Sequence, residues 1–373
     1  MTPLAGIKIL EFAAIGPVPW CGSLLASLGA SVLRIDRPAG DGRAPAGSSS
    51  GGDGRAAIAL DLKNPADVQA ALGLAGRADA LIEGLRPGVM ERLGLGPDPC
   101  LRANPRLVYA RMTGWGQHGP LAARAGHDIN YIALTGALHA IGRRGQRPVP
   151  PLNLVGDYGG GAAFLAIGLL AALLEARRSG RGQVIDAAMI DGAANLMAPI
   201  YARHAAGAWR DERGANLLDG GAPWYDVYPA ADGKYMAVGA IEPAFYAALL
   251  AGLEIDPASL PDRHDRRTWP VLRARLGAAF RRRTRDEWSA VFESRDACVT
   301  PVLSLSEAPH HPHNVARETF VAPDGAIRPN AAPRFSRTPA TPAGPDAAES
   351  RRRALLKEWG WTAPGGSRPS GRP

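Results

Sequence analysis

The sequence predicts an α/β fold, and three observations predict it. The chain opens on a strand, helix, strand pattern. Short apolar strands then recur between helical stretches up to about residue 188, and from about residue 206 the composition changes into a second block. A length of 373 residues with 46% apolar content suffices for one large domain and a smaller one, each with its own core.

In chain order, residues 7–12 (IKILEF) read as a strand, Gly16-Pro17 opens a helix that Gly29 closes, and residues 31–36 (SVLRID) read as a second strand. Asp36 at the end of that strand raises a dinucleotide site, but the first turn, Ala14-Ile15-Gly16-Pro17-Val18-Pro19, lacks the GxGxxG spacing, which excludes NAD. Arg37 follows directly, either to meet a phosphate or simply to solvate a strand end. Residues 39–55 form a Gly/Ser-rich loop without core-forming side chains. Residues 58–63 (IALDLK) read as a short strand, and Asn64-Pro65 caps a helix that runs to about Gly76. Strands at 80–83 (ALIE) and 107–112 (LVYARM) flank the turn Arg86-Pro87-Gly88 and a helix from Val89. An apolar helix over 162–178 precedes a strand at 183–188 (QVIDAA) and a helix from Met189.

Residues 206–224 are polar and glycine-broken, as a linker is. The block beyond has strands at 224–228 and 234–238, helices with arginine-rich faces to about Glu293, and a closing strand at 296–302. The chain returns through Pro309-His310-His311-Pro312-His313-Asn314. These features place a large domain at 1–188, a linker at 189–223, a small domain at 224–308, a return segment and second part of the large domain at 309–360, and a disordered tail at 361–373.

Composition narrows the function. The net charge of +8 and pI of about 9.7 raise nucleic acid as a partner, yet lysine occurs only at Lys8, Lys63, Lys234 and Lys357. The scattered arginines, the 6% aromatic content and the lack of a nucleic-acid motif favour a phosphorylated anionic ligand or plain solvated surface, not nucleic acid. Three distant cysteines, Cys21, Cys100 and Cys298, form neither a disulfide framework nor a zinc site and suit a reducing compartment. The histidines at 310, 311 and 313 lack a carboxylate or cysteine at ligand spacing, so no metal is expected. The longest apolar run, 162–174, is too short to span a bilayer, and neither a secretory signal nor a peroxisomal address is recognisable. A cytoplasmic protein without a membrane partner is the expectation.

Residues 111–161 hold two candidates for proton transfer. His127 lies in Gly126-His127-Asp128-Ile129-Asn130-Tyr131, with polar neighbours on both sides. Asp157 lies in Gly156-Asp157-Tyr158-Gly159-Gly160-Gly161, just before the 162–178 run, at an expected helix N-terminus with free N–H groups. Asp in that position is most often an N-cap, and His beside Asp and Asn is most often a hydrogen-bonded structural residue. Composition and periodicity leave both pairs of readings open.

In wording, order and spacing, GWGQHGP (114–120), GHDINYIALTG (126–136) and PPLNLVGDYGGG (150–161) closely resemble the α-methylacyl-CoA racemases of the CaiB/BaiF, or type III CoA-transferase, superfamily. The resemblance runs from Leu4 to about Arg337. It implies a Rossmann-like large domain built from both chain ends, a smaller α+β domain, and an interlocked homodimer. It also implies that His127 and Asp157 exchange the carbon-2 proton of a 2-methylacyl-CoA thioester, and that Glu242 orients or charges the histidine. From the residues alone, Glu242 is a turn residue before proline. CoA is implied to lie along Arg37, Leu60-Asp61-Leu62-Lys63, Glu83-Gly84-Leu85, Arg92 and the loop carrying Gly126, Asp128 and Tyr131. At 39–55 the chain departs from the more basic segment of that family. No cofactor beyond the CoA of the substrate is implied.

The chemistry is coherent independently of the resemblance. Racemisation at carbon 2 needs one group to take a proton from one face and another to return it on the opposite face, so one must be basic while the other is protonated. Free N–H groups at the start of the helix near Ala162 are the expected donors to the enolate oxygen. The rival is a CoA-transferase in which Asp157 attacks the thioester as a nucleophile and needs no base at His127. A third class, a non-catalytic acyl-CoA or nucleic-acid binder, rests on positive charge alone.

Overall fold

The computed structural model describes residues 2–38, 54–322, 325–340 and 348–361, so nearly all of the 39–55 loop and the tail beyond Trp361 lie outside the described residues. The chain divides into two compact units. The first comprises residues 1–135, 152–196 and 318–373, and the second 136–151 and 197–317.

The first unit begins with β1 (Lys8–Phe12), α1 (Pro17–Ser27), β2 (Ser31–Asp36), β3 (Ala56–Ala59), α2 (Pro65–Ala75), β4 (Ala80–Glu83), α3 (Val89–Arg92), α4 (Pro97–Ala103), β5 (Val108–Thr113) and α5 (Asp128–Leu134). After α6 (Ala137–Ala140), which belongs to the second unit, it resumes with a π-helix (Leu154–Ala163), α7 (Phe164–Ser179), β6 (Val184–Ala188) and α8 (Met189–Leu196). All six strands are parallel, in the order β3-β2-β1-β4-β5-β6. The strand order reverses between β1 and β4, and a crevice opens there at the carboxyl ends of the strands.

Alternate residues of the strands feed two cores, one on each face of the sheet. Ile9, Val32, Ala80, Ile82, Val108 and Ala110 pack with α1 and α7, whereas Leu10, Leu33, Ile35, Leu81 and Tyr109 pack with α2, α4 and the C-terminal helix. Both faces being covered explains why these strands read as nearly continuous apolar runs. The 58–63 strand of the sequence reading is shifted: β3 is Ala56–Ala59, because its register follows Leu33–Asp36 of β2, and Leu60 to Lys63 form the turn beyond it.

The helix carrying Asp157 corrects the sequence reading. It begins at Leu154, three residues before the carboxylate, winds as a π-helix to Ala163 and continues as α7 to Ser179. Asp157 is therefore inside a helix and is not its N-cap. The wide winding accompanies a close backbone crossing: a Cβ on Gly160 would stand 2.5 Å from Ala193 N, and one on Gly192 1.8 Å from Gly160 O, so α8 touches the π-helix backbone to backbone. The continuous helix of 26 residues also exceeds the run expected from sequence and by length and composition alone suffices to cross a membrane. Leu165, Ala166, Leu169, Ala172, Leu173 and Ala176 of it are buried in the first unit's core.

The second unit contains α6, α9 (Ala198–Ala205), β7 (Tyr225–Pro229), β8 (Tyr235–Gly239), α10 (Pro243–Gly252), α11 (Trp269–Phe280), α12 (Arg285–Glu293), β9 (Val299–Pro301) and α13 (Pro312–Ala316). β7, β8 and β9 form an antiparallel sheet over a core of Tyr228, Met236, Leu272, Leu276, Phe280, Trp288 and Phe292. Tyr228 stacks on Phe280 with ring centres 5.2 Å apart. Residues 136–151, read from sequence as part of the large domain, join this unit through Arg143, which pairs with Asp226 at 2.5 Å, and Arg144, which pairs with Glu212 at 2.7 Å. Residues 189–196, read as linker, form α8 in the first unit, and residues 197–223 belong with the second.

The chain then returns to the first unit with the paired β10 (Phe320–Val321) and β11 (Arg328–Pro329) and ends in α14 (Ala348–Glu358). Leu355 and the buried Trp359 seat this end on the second face of the sheet, where Trp359 Nε1 donates to Ser31 Oγ at 3.0 Å. Both chain ends thus build the larger unit.

Candidate active site

His127 and Asp157 line one cavity of about 570 Å³ in the first unit. Its wall comes from the loops after β1 (Ile15, Gly16), β4 (Gly84 to Pro87) and β5 (Gly114, Trp115), together with Tyr131, Asn153, Tyr158 and Met189. These are the carboxyl ends of the strands on either side of the switch in strand order, where ligands of open parallel sheets bind. The volume falls within the range of small-molecule sites, about 300–1,000 Å³.

His127 is held by the start of α5. It precedes the first helical residue with extended backbone, its N–H donates to Asn130 Oδ1 at 3.0 Å, and its carbonyl accepts from Asn130 N at 2.8 Å. Tyr131, one turn on, donates its hydroxyl to the Gly126 carbonyl and sets its ring edge-on to Trp115 with centres 4.8 Å apart. A Cβ on Gly126 would come within 2.7 Å of the Tyr131 ring, so this glycine makes the loop compact enough to present His127 to the cavity.

Asp157 is half-buried on the π-helix. Asn153, one turn earlier, donates Nδ2 to Asp157 Oδ2 at 3.1 Å, and a Cβ on Gly16 would stand 3.3 Å from the same oxygen. Burial raises the carboxyl above its ordinary pKa, Asn153 and the His127 charge pull it down, and Asp128 pushes it up. Asp128 is itself buried, and its Oδ2 accepts from the backbone N–H of both Gly156 and Asp157 at 2.7 Å each. A Cβ on Gly156 would lie 2.6 Å from that oxygen, so only glycine admits the contact. These two amides, close to those expected to be free at a helix start, are therefore occupied.

The other expected contact residues divide into groups. Gly84, Leu85, Gly126 and Tyr131 line the cavity with His127 and Asp157. Arg37, Leu60, Asp61, Leu62 and Lys63 line a neighbouring cleft of about 470 Å³ at the ends of β1, β2 and β3, and Leu85 borders both spaces. Glu83 reaches neither: it is fully buried, with Oε1 at 3.1 Å from Arg111 Nε and Oε2 accepting from Leu85 N at 2.7 Å. Burial, its largest influence, raises Glu83 above the usual carboxylate range against the opposing pull of Leu85 N–H and Arg111. Glu83 thus shapes the Leu85 loop from below. Arg92 is exposed on α3 and lines neither space. Glu242 belongs to the second unit, exposed at the N-terminal end of α10.

Sequence reasoning had not singled out Asn153, Trp115, Tyr158, Arg86, Arg124 or Met189, all of which line the cavity. The signal for Asn153 is its position four residues before Asp157, about one helical turn. Among the described residues no group of three or more His, Cys, Asp or Glu side chains is placed to hold a metal ion.

The chain matches the model of CoA-transferase family III over residues 4–348. It is 46% identical over 340 residues to the α-methylacyl-CoA racemase of Mus musculus, and 44% identical over 344 residues to that of Homo sapiens. Each alignment covers 91% of this chain and 88% of the relative. A CaiB/BaiF family protein from Brucella suis shares the fold, with a TM-score of 0.78 and 24% identity over 95% of this chain and 99% of that one. With that match over most of its length and these identities, the chain belongs to CoA-transferase family III.

Proposed function

We propose that this protein interconverts the (R) and (S) forms of 2-methylacyl-CoA thioesters by moving the carbon-2 proton between His127 and Asp157 through an enolate. The observation that carries the reading is the meeting of these two side chains in one cavity, with the charge of His127 acting on Asp157. The racemase names of the mouse and human relatives support it.

The electrostatics suit a shared proton. With His127 neutral, burial favours the protonated acid at Asp157; with His127 charged, the imidazolium favours the carboxylate. In the proposed cycle one member of the pair is basic while the other is protonated. Deprotonation by one member from one face and reprotonation by the other from the opposite face inverts carbon 2, and the reverse reaction exchanges the roles. The enolate oxygen needs donors in place of the occupied Gly156 and Asp157 amides. The first-turn N–H groups of α5, at Asp128 and Ile129, have no intrahelical acceptor and adjoin His127. No metal or redox cofactor enters this scheme.

In this reading CoA runs from the Arg37–Lys63 cleft past Leu85 into the cavity, where Ile15, Val18, Met112 and Met189 offer the acyl chain an apolar wall. The protein works in the cytoplasm as an interlocked homodimer, and Glu242 of the partner subunit orients His127. Neither nucleic acid nor membrane takes part.

A transferase using Asp157 as nucleophile is the competing reading. A nucleophilic carboxylate needs no acid–base partner beside it, whereas His127 shares the cavity with Asp157, as two-group proton transfer requires. The test is proton NMR of one enantiomer of a 2-methylacyl-CoA ester with the protein in D₂O and no acceptor acid. Loss of the carbon-2 signal with scrambled configuration is expected. An unchanged signal across several acyl chains, with a new CoA ester appearing once carboxylic acids are added, would establish the transferase instead.

A further inference from the structure

The second unit has a cleft of its own, about 610 Å³, lined wholly by that unit. Six arginines reach it: Arg143, Arg144, Arg210, Arg266, Arg273 and Arg281. Asp226 is the one carboxylate in its wall. Asp226 is buried and already engaged by two of the six, since Arg143 pairs with it at 2.5 Å and Arg273 pairs with its other oxygen. Arg273 is further fixed by donating Nη2 to the carbonyls of Gly220 at 2.9 Å and Gly221 at 2.6 Å. Arg144 is satisfied by Glu212 at 2.7 Å.

That leaves Arg210, Arg266 and Arg281 without an acidic partner among the described residues. Arg266 lies over the Trp269 ring, 5.4 Å from its centre, which orients the guanidinium without neutralising it. Guanidinium groups that converge on one concave space repel each other, and the low-dielectric wall of Trp269, Pro270 and Tyr228 concentrates the field. Burial and, after it, the neighbouring charge of Arg143 disfavour the protonated form of Arg273 against the opposing pull of Asp219.

We infer that this cleft is a binding site for a phosphate-bearing polyanion, with Arg210, Arg266 and Arg281 as the recognising groups. Several planar guanidinium forks around one space match an anion with acceptor oxygens on all sides better than a single planar carboxylate. The wall is preset by the Asp226 network, so binding needs little rearrangement. The reaction cavity is lined by residues of the first unit only, so the two spaces use separate side chains.

The test is calorimetric titration of the full-length protein with inorganic pyrophosphate at constant ionic strength, after saturation with CoA so that any CoA subsite is already filled. Saturable binding to the CoA-loaded protein is expected, with at least tenfold loss in the Arg266→Gln/Arg281→Gln double variant and a smaller loss in Arg210→Gln. Thermal melting of each variant checks that it is folded, and Arg210→Gln alone serves if the double variant is not. Citrate at matched charge should bind at least tenfold more weakly. The inference is overturned if the CoA-loaded protein does not bind pyrophosphate, if folded variants bind it as wild type does, or if citrate binds equally well.

Discussion

The carboxylate of Asp128 holds the backbone of Asp157: its Oδ2 accepts from the N–H of Asp157 and of Gly156, at 2.7 Å in both cases. Because Asp128 follows His127 directly, one buried side chain ties the loop of His127 to the helix of Asp157. The separation of the pair is thus set by a hydrogen-bonded clamp and not by the two side chains themselves. Asp128→Ala should destabilise the fold by about 1–3 kcal/mol for each amide left without an acceptor. Gly156→Ala should have a comparable effect, since its methyl would meet the same oxygen at 2.6 Å. Both variants should also lose carbon-2 proton exchange. Urea unfolding paired with the D₂O assay checks this, and full exchange in a destabilised Gly156→Ala protein would show that the clamp does not position the site.

His127→Ala should lower turnover by roughly 10²- to 10⁴-fold, the usual worth of a positioned acid or base. Binding of the CoA ester should change little, because the 37–63 cleft is untouched. Single-turnover exchange and calorimetry separate the two effects. Wild-type turnover would remove His127 from the reaction.

Asp157→Asn should abolish exchange and yet raise the melting temperature at neutral pH. The carboxyl's folded-state pKa lies above its ordinary 3.8, so the folded protein holds the proton more tightly than the unfolded chain. Its contribution to stability is complete below about pH 3.8 and is lost as pH rises through the folded value. The amide, which cannot ionise, escapes that loss. Melting curves from pH 3.5 to 8 should show the variant's advantage growing with pH, and an advantage independent of pH would contradict the assignment.

Arg111→Ala should cost about 3–5 kcal/mol at pH 7, the usual consequence of leaving a buried charge unpaired. Glu83 is fully buried, and Arg111 is a principal group favouring its ionised form. In the variant the folded-state pKa of Glu83 rises further, so the deficit should shrink as pH falls toward 4.5 and the carboxyl protonates. Denaturant midpoints at pH 5 and pH 8 check the sign.

The parallel sheet was legible because its strands are short, mostly apolar runs between helical stretches, as 31–36 and 80–83 are. Its edges were less so: β3 was read two residues late because its register is dictated by β2, not by its own pattern. His127 and Asp157 were found through the wording of two motifs, and local chemistry alone would have left Asp157 a cap. The π-helix around it was hidden because the crossing that accompanies it, Gly160 against Gly192, joins residues 32 apart (192 − 160) that no local window spans. The assignment of 136–151 to the second unit rests likewise on Arg143 meeting Asp226, 83 residues further on.

The π-helix also makes the active site sensitive to chain length. In an α-helix each residue turns the chain by about 100°, and a π turn closes with one residue more per hydrogen-bonded ring. Asp157 is joined to the rigid α7 through Gly159-Gly160-Gly161. Its compass bearing around the helix axis is therefore a matter of counting residues. Losing one of those glycines would let the segment rewind as an ordinary helix and swing the carboxylate roughly a quarter turn away from His127, with every side chain of the cavity still present. An insertion or deletion in this stretch is a more severe change than most substitutions in it.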